Sequence, residues 1–297
     1  MIEDIYQSFF TTVSDFVYLV KTIEVLQILL VGFGMMLLAA MYRGRAKVFN
    51  KKALAGIAAT IALFIANIFI IPFVMMAVDG LQALLDSYNI ARVSNETWSS
   101  LPFVLVAAIA IFLGDFIDYW NHRFMHMKWI WPVHAVHHSD HELNAFTTFR
   151  VHALEVLIMR TSHVIGLAWL GLPAEAVGFA AILFTFHNMY VHTDVDWNHG
   201  PLKYVIASPR FHSWHHADFP EAFGKNLANV FPFFDVMFGT YYVPSKCDHP
   251  MGAQGVPHAD VVGLLAYPVS EWSRMAKPHL KALQDGDDKE EPVIAAE

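Results

Sequence analysis

The chain has 297 residues, of which 56 % are hydrophobic and 15 % charged, with a formal net charge of -8 and a mean hydropathy of +0.40. Soluble domains carry about 25 % charged residues, so this composition points to a membrane protein, and the acidic balance offers no basic footprint for nucleic acid. The single cysteine, Cys247, excludes an internal disulfide framework and a thiolate-rich metal site; it reads as a small buried residue.

The opening "MIEDIYQSFF" is acidic and lacks a basic stretch before its first apolar run. It is not expected to be a cleavable signal peptide and reads as a segment on the membrane surface. A helix needs about 20 apolar residues to cross a bilayer. Residues 25–42 form one such run, residues 54–78 a second with Pro72 near its end, and residues 101–120 a third, apolar until Asp115 and Asp118. Between the first two lies "RGRAKVFNKK" (43–52), with five basic residues and no acid; residues 79–100 carry Asp79, Asp86, Glu96 and only Arg92. The positive-inside rule places 43–52 in the cytoplasm, so the third span delivers residue 121 onward to the cytoplasmic face.

A further apolar stretch, 153–188, is broken by "GLPAE" (171–175). Two full crossings need about 40 residues, so it is expected as a short transmembrane or re-entrant hairpin, with Arg160 and His163 packed inward or near the interface. Residues 199–242, rich in Pro, Gly, Phe and His, read as a compact cytoplasmic cap, and "DGDDKEE" (285–291) as a solvated charge run. The expected fold is therefore all-α. It is an integral-membrane bundle of about four embedded helices or hairpins, with a cytoplasmic helical cap carrying the histidines. The expected division is 1–100 for N-terminal membrane helices, 101–245 for the catalytic region, and 246–297 for a C-terminal tail.

No histidine precedes residue 122, and fourteen of the seventeen lie between His122 and His216. They form boxes: His122 and His126; His134, His137 and His138; His187 and His192; His212, His215 and His216. Spacings of three and four place side chains on one helical face, so each of the first, second and fourth boxes is expected on a single face. Ten neutral imidazoles crowded together would be unsatisfied without a cation to share. One ion cannot use ten, since a catalytic zinc takes about three protein ligands. Two metals with about five imidazoles each account for all of them. An all-nitrogen site suits Fe, Zn, Cu or Ni, and ligand type alone does not choose.

Asp118, Asp140 and Asp218 stand next to the boxes and are candidates to accept the second ring N–H of a ligand. Arg150 and Glu155 flank His152 and could pair to brace the hairpin, and Asn226 and Asp235 could hold the cap. His141 and His152 read as outer contacts of the site, His163 as packed, His199 as a loop residue, and His249, His258 and His279 as ordinary.

The ordered motifs "HRFMH", "HAVHHSD", "RVHALE", "HTDVDWNHGPLKYVIASPRFHSWHH" and "KNLANVFPFFDVMFGTYY", across roughly residues 115–243, resemble the fatty acid hydroxylase / sterol desaturase superfamily of integral-membrane di-iron enzymes. Two departures stand out. Ala153 occupies a position where the family carries proline, and "HNMYVH" falls in the family's most variable box, where His192 matches better than His187. The resemblance implies two Fe ions, with zinc a substitute in purified protein, and O2 as co-substrate. It implies attack on an unactivated C–H bond of a membrane lipid, most simply hydroxylation of an acyl or sterol-like substrate, with desaturation or ether-lipid oxygenation as the alternative. No catalytic side chain beyond the metal ligands is expected. No flavin, nicotinamide or haem fingerprint is present, so electrons come from a separate reductase or small carrier; homo-oligomerisation stays open. A membrane zinc hydrolase would need a general-base carboxylate inside a box, as in H-E-x-x-H, and none contains one. A metal transporter would spread ionisable residues along its spans, whereas these cluster at one face.

Overall fold

The computed structural model describes residues 23–88, 93–167 and 170–285. The expectation for the first ten residues therefore lies outside the described residues, as does most of the 285–291 charge run. Among the described residues the chain is helical, and the only extended pairing is an isolated antiparallel bridge between Ala217 and Met251.

Helix α1 covers Ile23–Arg43, the short α2 Arg45–Val48, and α3 Lys51–Ser87. The Asn50 side chain accepts the Ala53 N–H and caps α3. At 1.5 Å per residue α3 is about 55 Å long, well beyond a hydrocarbon core of about 30 Å. It runs through Pro72 and nine residues past 78, where the apolar run was read to end, and includes Asp79 and Asp86. A short α4, Asn95–Ser99, is capped by Ser94, and Trp98 Nε1 donates to Leu170 O, tying this turn to the loop of the following hairpin. Helix α5, Phe103–Met125, includes His122 in its last turn.

The interrupted stretch folds as α7, Ala153–Leu167, and α8, Ala174–Val191, after a four-residue α6 at Trp131–His134. Among the described residues four helices (α1, α3, α5 and α8) are long and apolar enough to cross a membrane; α7, at 15 residues, is not among them. Helix α5 packs against both α7 and α8, α3 lies against α7, and α1 against α8. Leu30, Phe33, Met41, Phe73, Val104 and Ile182 stay exposed on the outer faces of these helices. Such a density of exposed large apolar residues fits lipid rather than water as the surrounding phase.

This topology puts the histidines together. Helix α5 ends at the histidine level, α7 leaves it, and α8 returns to it. The remaining helices are α9, Pro209–His215, capped by the Ser208 side chain, α10, Phe233–Phe238, and α11, Val261–Asp285. Helix α11 falls in the segment read as a tail. Its Leu264 is fully buried against Ala59, Leu63, Ala135 and Val136, so the apolar stripe of this segment outweighs its internal prolines, Pro268 and Pro278.

Asp115 fixes the cap to the bundle. Its carboxylate accepts the backbone N–H groups of Asn229, Val230 and Phe231 at 2.9, 2.9 and 2.7 Å. Asp115→Ala would leave the buried Val230 N–H and the half-buried Asn229 and Phe231 N–H groups without an acceptor, and we expect a loss of about 2–5 kcal/mol, read as a lowered melting temperature in detergent. An unchanged melting temperature would mean the loop finds other partners.

Candidate metal centre

Nine of the ten box histidines converge into two groups. His122, His126, His134, His138 and His215 form the first; His137, His192, His212 and His216 form the second. Within each group the ligand-capable nitrogens all lie within 4.8 Å of one another. The groups adjoin: the His138 and His216 rings are stacked with centroids 4.4 Å apart. His187 belongs to neither group. It precedes His192 by five residues on α8, and five residues turn a helix by about 140°, so the two cannot share a face.

The boxes do not stay together as the spacing suggested. Helix α6 ends at His134, and residues His137–Ser139 form a 3-10 turn. The break sends His137 to the second group while His134 and His138 join the first. On α9, His212 and the capping His216 face the second group and His215 the first. One helical face was expected for the first, second and fourth boxes; His122 and His126 stay in one group, while the second and fourth boxes are divided between the two.

The ring orientations are set mostly by backbone carbonyls. His122 Nδ1 donates to Leu227 O at 2.8 Å, His192 Nδ1 to Asn188 O at 2.7 Å and His215 Nδ1 to Lys225 O at 2.8 Å. His134 Nδ1 instead meets Glu155 Oε1 at 3.0 Å, and Glu155 is 3 % exposed. Segment 225–227 thus supplies two carbonyls to the first group. Asn226 between them is left-handed (φ 57°), and its side chain locks the turn by donating to Phe211 O and Tyr242 O and accepting the Tyr242 N–H. Asp235 braces the same loop by accepting the N–H groups of Leu227 and Ala228. These are the cap-holding roles read for Asn226 and Asp235 from the sequence.

Other expectations are corrected. Asp118 accepts from no ligand ring, because Leu227 O takes His122 Nδ1; Asp118 faces His163 Nε2 at 3.3 Å. Asp140 accepts from Thr147 Oγ1, Asn144 Nδ2 and Glu142 N, and Asp218 from Gln254, so neither orients a ligand. Arg150 does not pair with Glu155. Its guanidinium, fully buried, donates to Ser139 Oγ, Gly56 O, Thr60 Oγ1 and His258 O, joining α3, the second box and the chain before α11. His152 caps α7 by accepting the Leu154 N–H, and its Nε2 reaches Leu265 O. His141 stacks on His258, and His199 Nε2 meets Tyr190 Oη.

These contacts test the fit of a cation. A carbonyl can only accept, so His122 keeps its proton on Nδ1, and Glu155 draws the His134 proton to Nδ1 likewise. Their Nε2 lone pairs then face each other at 3.0 Å. The second group is similar, with His192 Nε2 at 2.9 Å from His212 Nε2 and 3.2 Å from His137 Nε2. His126 Nε2 and His215 Nε2 are buried with no hydrogen-bond partner. Lone pairs converging in a buried site are costly alone and are what an imidazole-bound metal requires. The donor set fits.

Burial also keeps the rings neutral. It pushes His134 down to about 3 and His192 to about 4 from the ordinary 6.5, and His212 and His216 well below it, helped by neighbouring rings. An unfolded chain takes up protons below about 6.5 whereas these folded rings do not until about 4 or lower, so stability is complete above 6.5 and lost as pH falls through that window. We expect the melting temperature of metal-free protein to fall steadily from about pH 7 to about pH 4 and to change little from 7 to 8. A flat acid profile would contradict burial of neutral imidazoles.

A cavity opens onto both groups, lined among others by His122, His134, His137, His192 and Glu155. Residues 107–240 match the sequence model of the fatty acid hydroxylase family. This region is a fatty acid hydroxylase domain. The domain spans all nine converging histidines together with Glu155 and the 225–235 loop. Among curated relatives, the ornithine lipid hydroxylase of Rhizobium tropici is 27 % identical over 175 residues, 58 % of this chain and 53 % of that protein. The alkylglycerol monooxygenase of Homo sapiens is 32 % identical over 159 residues, 50 % and 33 % respectively. A very-long-chain aldehyde decarbonylase of Oryza sativa subsp. japonica is 29 % identical over 151 residues, 48 % and 56 %. The chain thus spans between a third and just over half of these relatives' lengths. No solved structure matches.

Glu155 is the site residue whose role the helical spacing of the boxes did not carry. Its signal lay in "RVHALE", where a carboxylate sits in an otherwise apolar stretch. The carbonyls of Asn188, Lys225 and Leu227 left no side-chain signal at all.

Proposed function

We propose that the chain is an O2-dependent di-iron lipid hydroxylase with its metal site on the cytoplasmic side of the membrane. The observation that carries this reading is the pair of adjoining histidine groups, of five and four imidazoles, with lone pairs directed inward. Iron held there would supply the O2 activation and electron transfer that amino-acid side chains lack. The balance is one C–H bond, O2, two electrons from an external reductase or carrier and two protons, giving an alcohol and water.

The chain's own residues do the rest. His122, His192 and His215 are fixed by carbonyls and His134 by Glu155, so the rings need no rearrangement on metal binding. Their burial keeps the ligand nitrogens away from bulk solvent. The four spans let a lipid enter from the bilayer, and the basic 43–52 segment favours the cytoplasmic assignment. The match to an alkylglycerol monooxygenase favours ether-lipid oxygenation as the second reading.

The test is lipid analysis of cells with and without the chain under 18O2, with metal analysis of anaerobically purified protein. A product gaining one 18O, and about two irons per chain, support the proposal. Loss of two hydrogens without oxygen would indicate desaturation. One metal per chain, or native zinc, would overturn the di-iron reading.

A further inference from the structure

One wall of the cavity is polar in a way that metal binding does not use. Asp118 stands one turn before His122 on α5, is 8 % exposed, and lines the cavity with Asn188 and Asn229. His163 Nε2 on α7 lies 3.3 Å from Asp118 Oδ1, and Arg160 is close enough to act on the same carboxylate. Asn229 Oδ1 is buried without a hydrogen-bond partner. A purely aliphatic occupant would leave this wall unanswered, and buried polar groups without partners are unfavourable.

Resting on the reading of the site as a lipid oxygenase, we propose that Asp118 and Asn229 accept a hydrogen bond from a neutral donor on the lipid, a hydroxyl or amide N–H, within a few bonds of the oxidised carbon. The donor is neutral because the Arg160 guanidinium already supplies positive charge to Asp118. The spacing limits its position. Residues four apart on a helix are about 5–6 Å apart, so a group held at Asp118 lies about one helical turn from His122 and the first histidine group. The carbon beside the metals is then near the polar end of the lipid. Methylenes far along a chain have no donor to offer this wall.

The test uses binding, read by native mass spectrometry on the purified full chain in nanodiscs. The probes are 1-O-hexadecylglycerol against its di-O-methyl ether, and palmitamide against its N,N-dimethyl form. The glycerol pair reports on hydroxyl donors and the amide pair on N–H donors. Wild type is expected to bind at least one uncapped lipid about tenfold or more tighter than its capped partner, because capping leaves the buried acceptors unpaired. Asp118→Leu, with metal content matched to wild type, should bring that ratio close to one. Equal binding of capped and uncapped lipids by wild type overturns the proposal, and this comparison needs no variant to fold. A ratio unchanged in Asp118→Leu removes Asp118 from it. Because binding is read without turnover, a chain that discriminates but oxidises neither lipid counts against the oxygenase reading and not against this wall.

Discussion

Replacing His212 with alanine is expected to lower metal content from about two ions per chain to about one and to abolish product formation. The second group has four imidazoles, and His212 Nε2 contacts both His192 and His216 at 2.9 and 3.1 Å. Removing it leaves three ligands and a gap in a buried site. The protein should still insert and keep its helical content, since α9 is held by its Ser208 cap and by buried Phe211. His187→Ala is the matched control. It stands in neither group and should retain both metals. Metal analysis and a product assay on the two variants separate the structural grouping from the simple count of ten, and equal metal loss in both would show the grouping to be wrong.

Glu155→Ala is expected to weaken metal retention or turnover by about 10–100-fold, the usual effect of losing a partner that orients a ligand. His134 is held by a side chain rather than a backbone carbonyl, its Nδ1 meeting Glu155 Oε1. Glu155→Gln keeps an oxygen acceptor at the same place and should recover most of the loss. Chelator challenge followed by metal analysis reads the effect directly. Should alanine and glutamine variants hold metal as wild type does, Glu155 is a packing residue. Its second oxygen, Oε2, is buried without a partner. A carboxylate buried in that position makes a stronger bond to His134 than an exposed one would, because the surrounding dielectric is low.

The spans were legible because bilayer length and apolar composition leave few alternatives. The histidine boxes were legible because imidazole at helical spacing is rare without purpose. The division of those boxes between two groups was not. It depends on α6 ending at His134 and a 3-10 turn taking over at His137, which shifts the angular phase of the chain by an amount no spacing rule encodes. Asp118 shows the opposite difficulty. Its distance from His122 along α5 was right for an orienting carboxylate, yet Leu227 O, 105 residues from His122, already occupies that role. Backbone acceptors contributed by distant loops are invisible in side-chain patterns. Helix α11 was hidden by its two prolines, which matter less than the apolar stripe they interrupt.

The crossing of boxes between groups also orders events in time. The first group needs His215 and the second needs His212 and His216, all from α9. A growing chain that has emerged only through α8 offers partial sets: His122, His126, His134 and His138 on one side, and just His137 and His192 on the other. Neither set is complete until the last box has been made and folded back. Completion of the two histidine groups is therefore a closing step of biosynthesis, and a ribosome stalled before residue 212 would hold a chain that is already threaded through the membrane yet has neither histidine set complete.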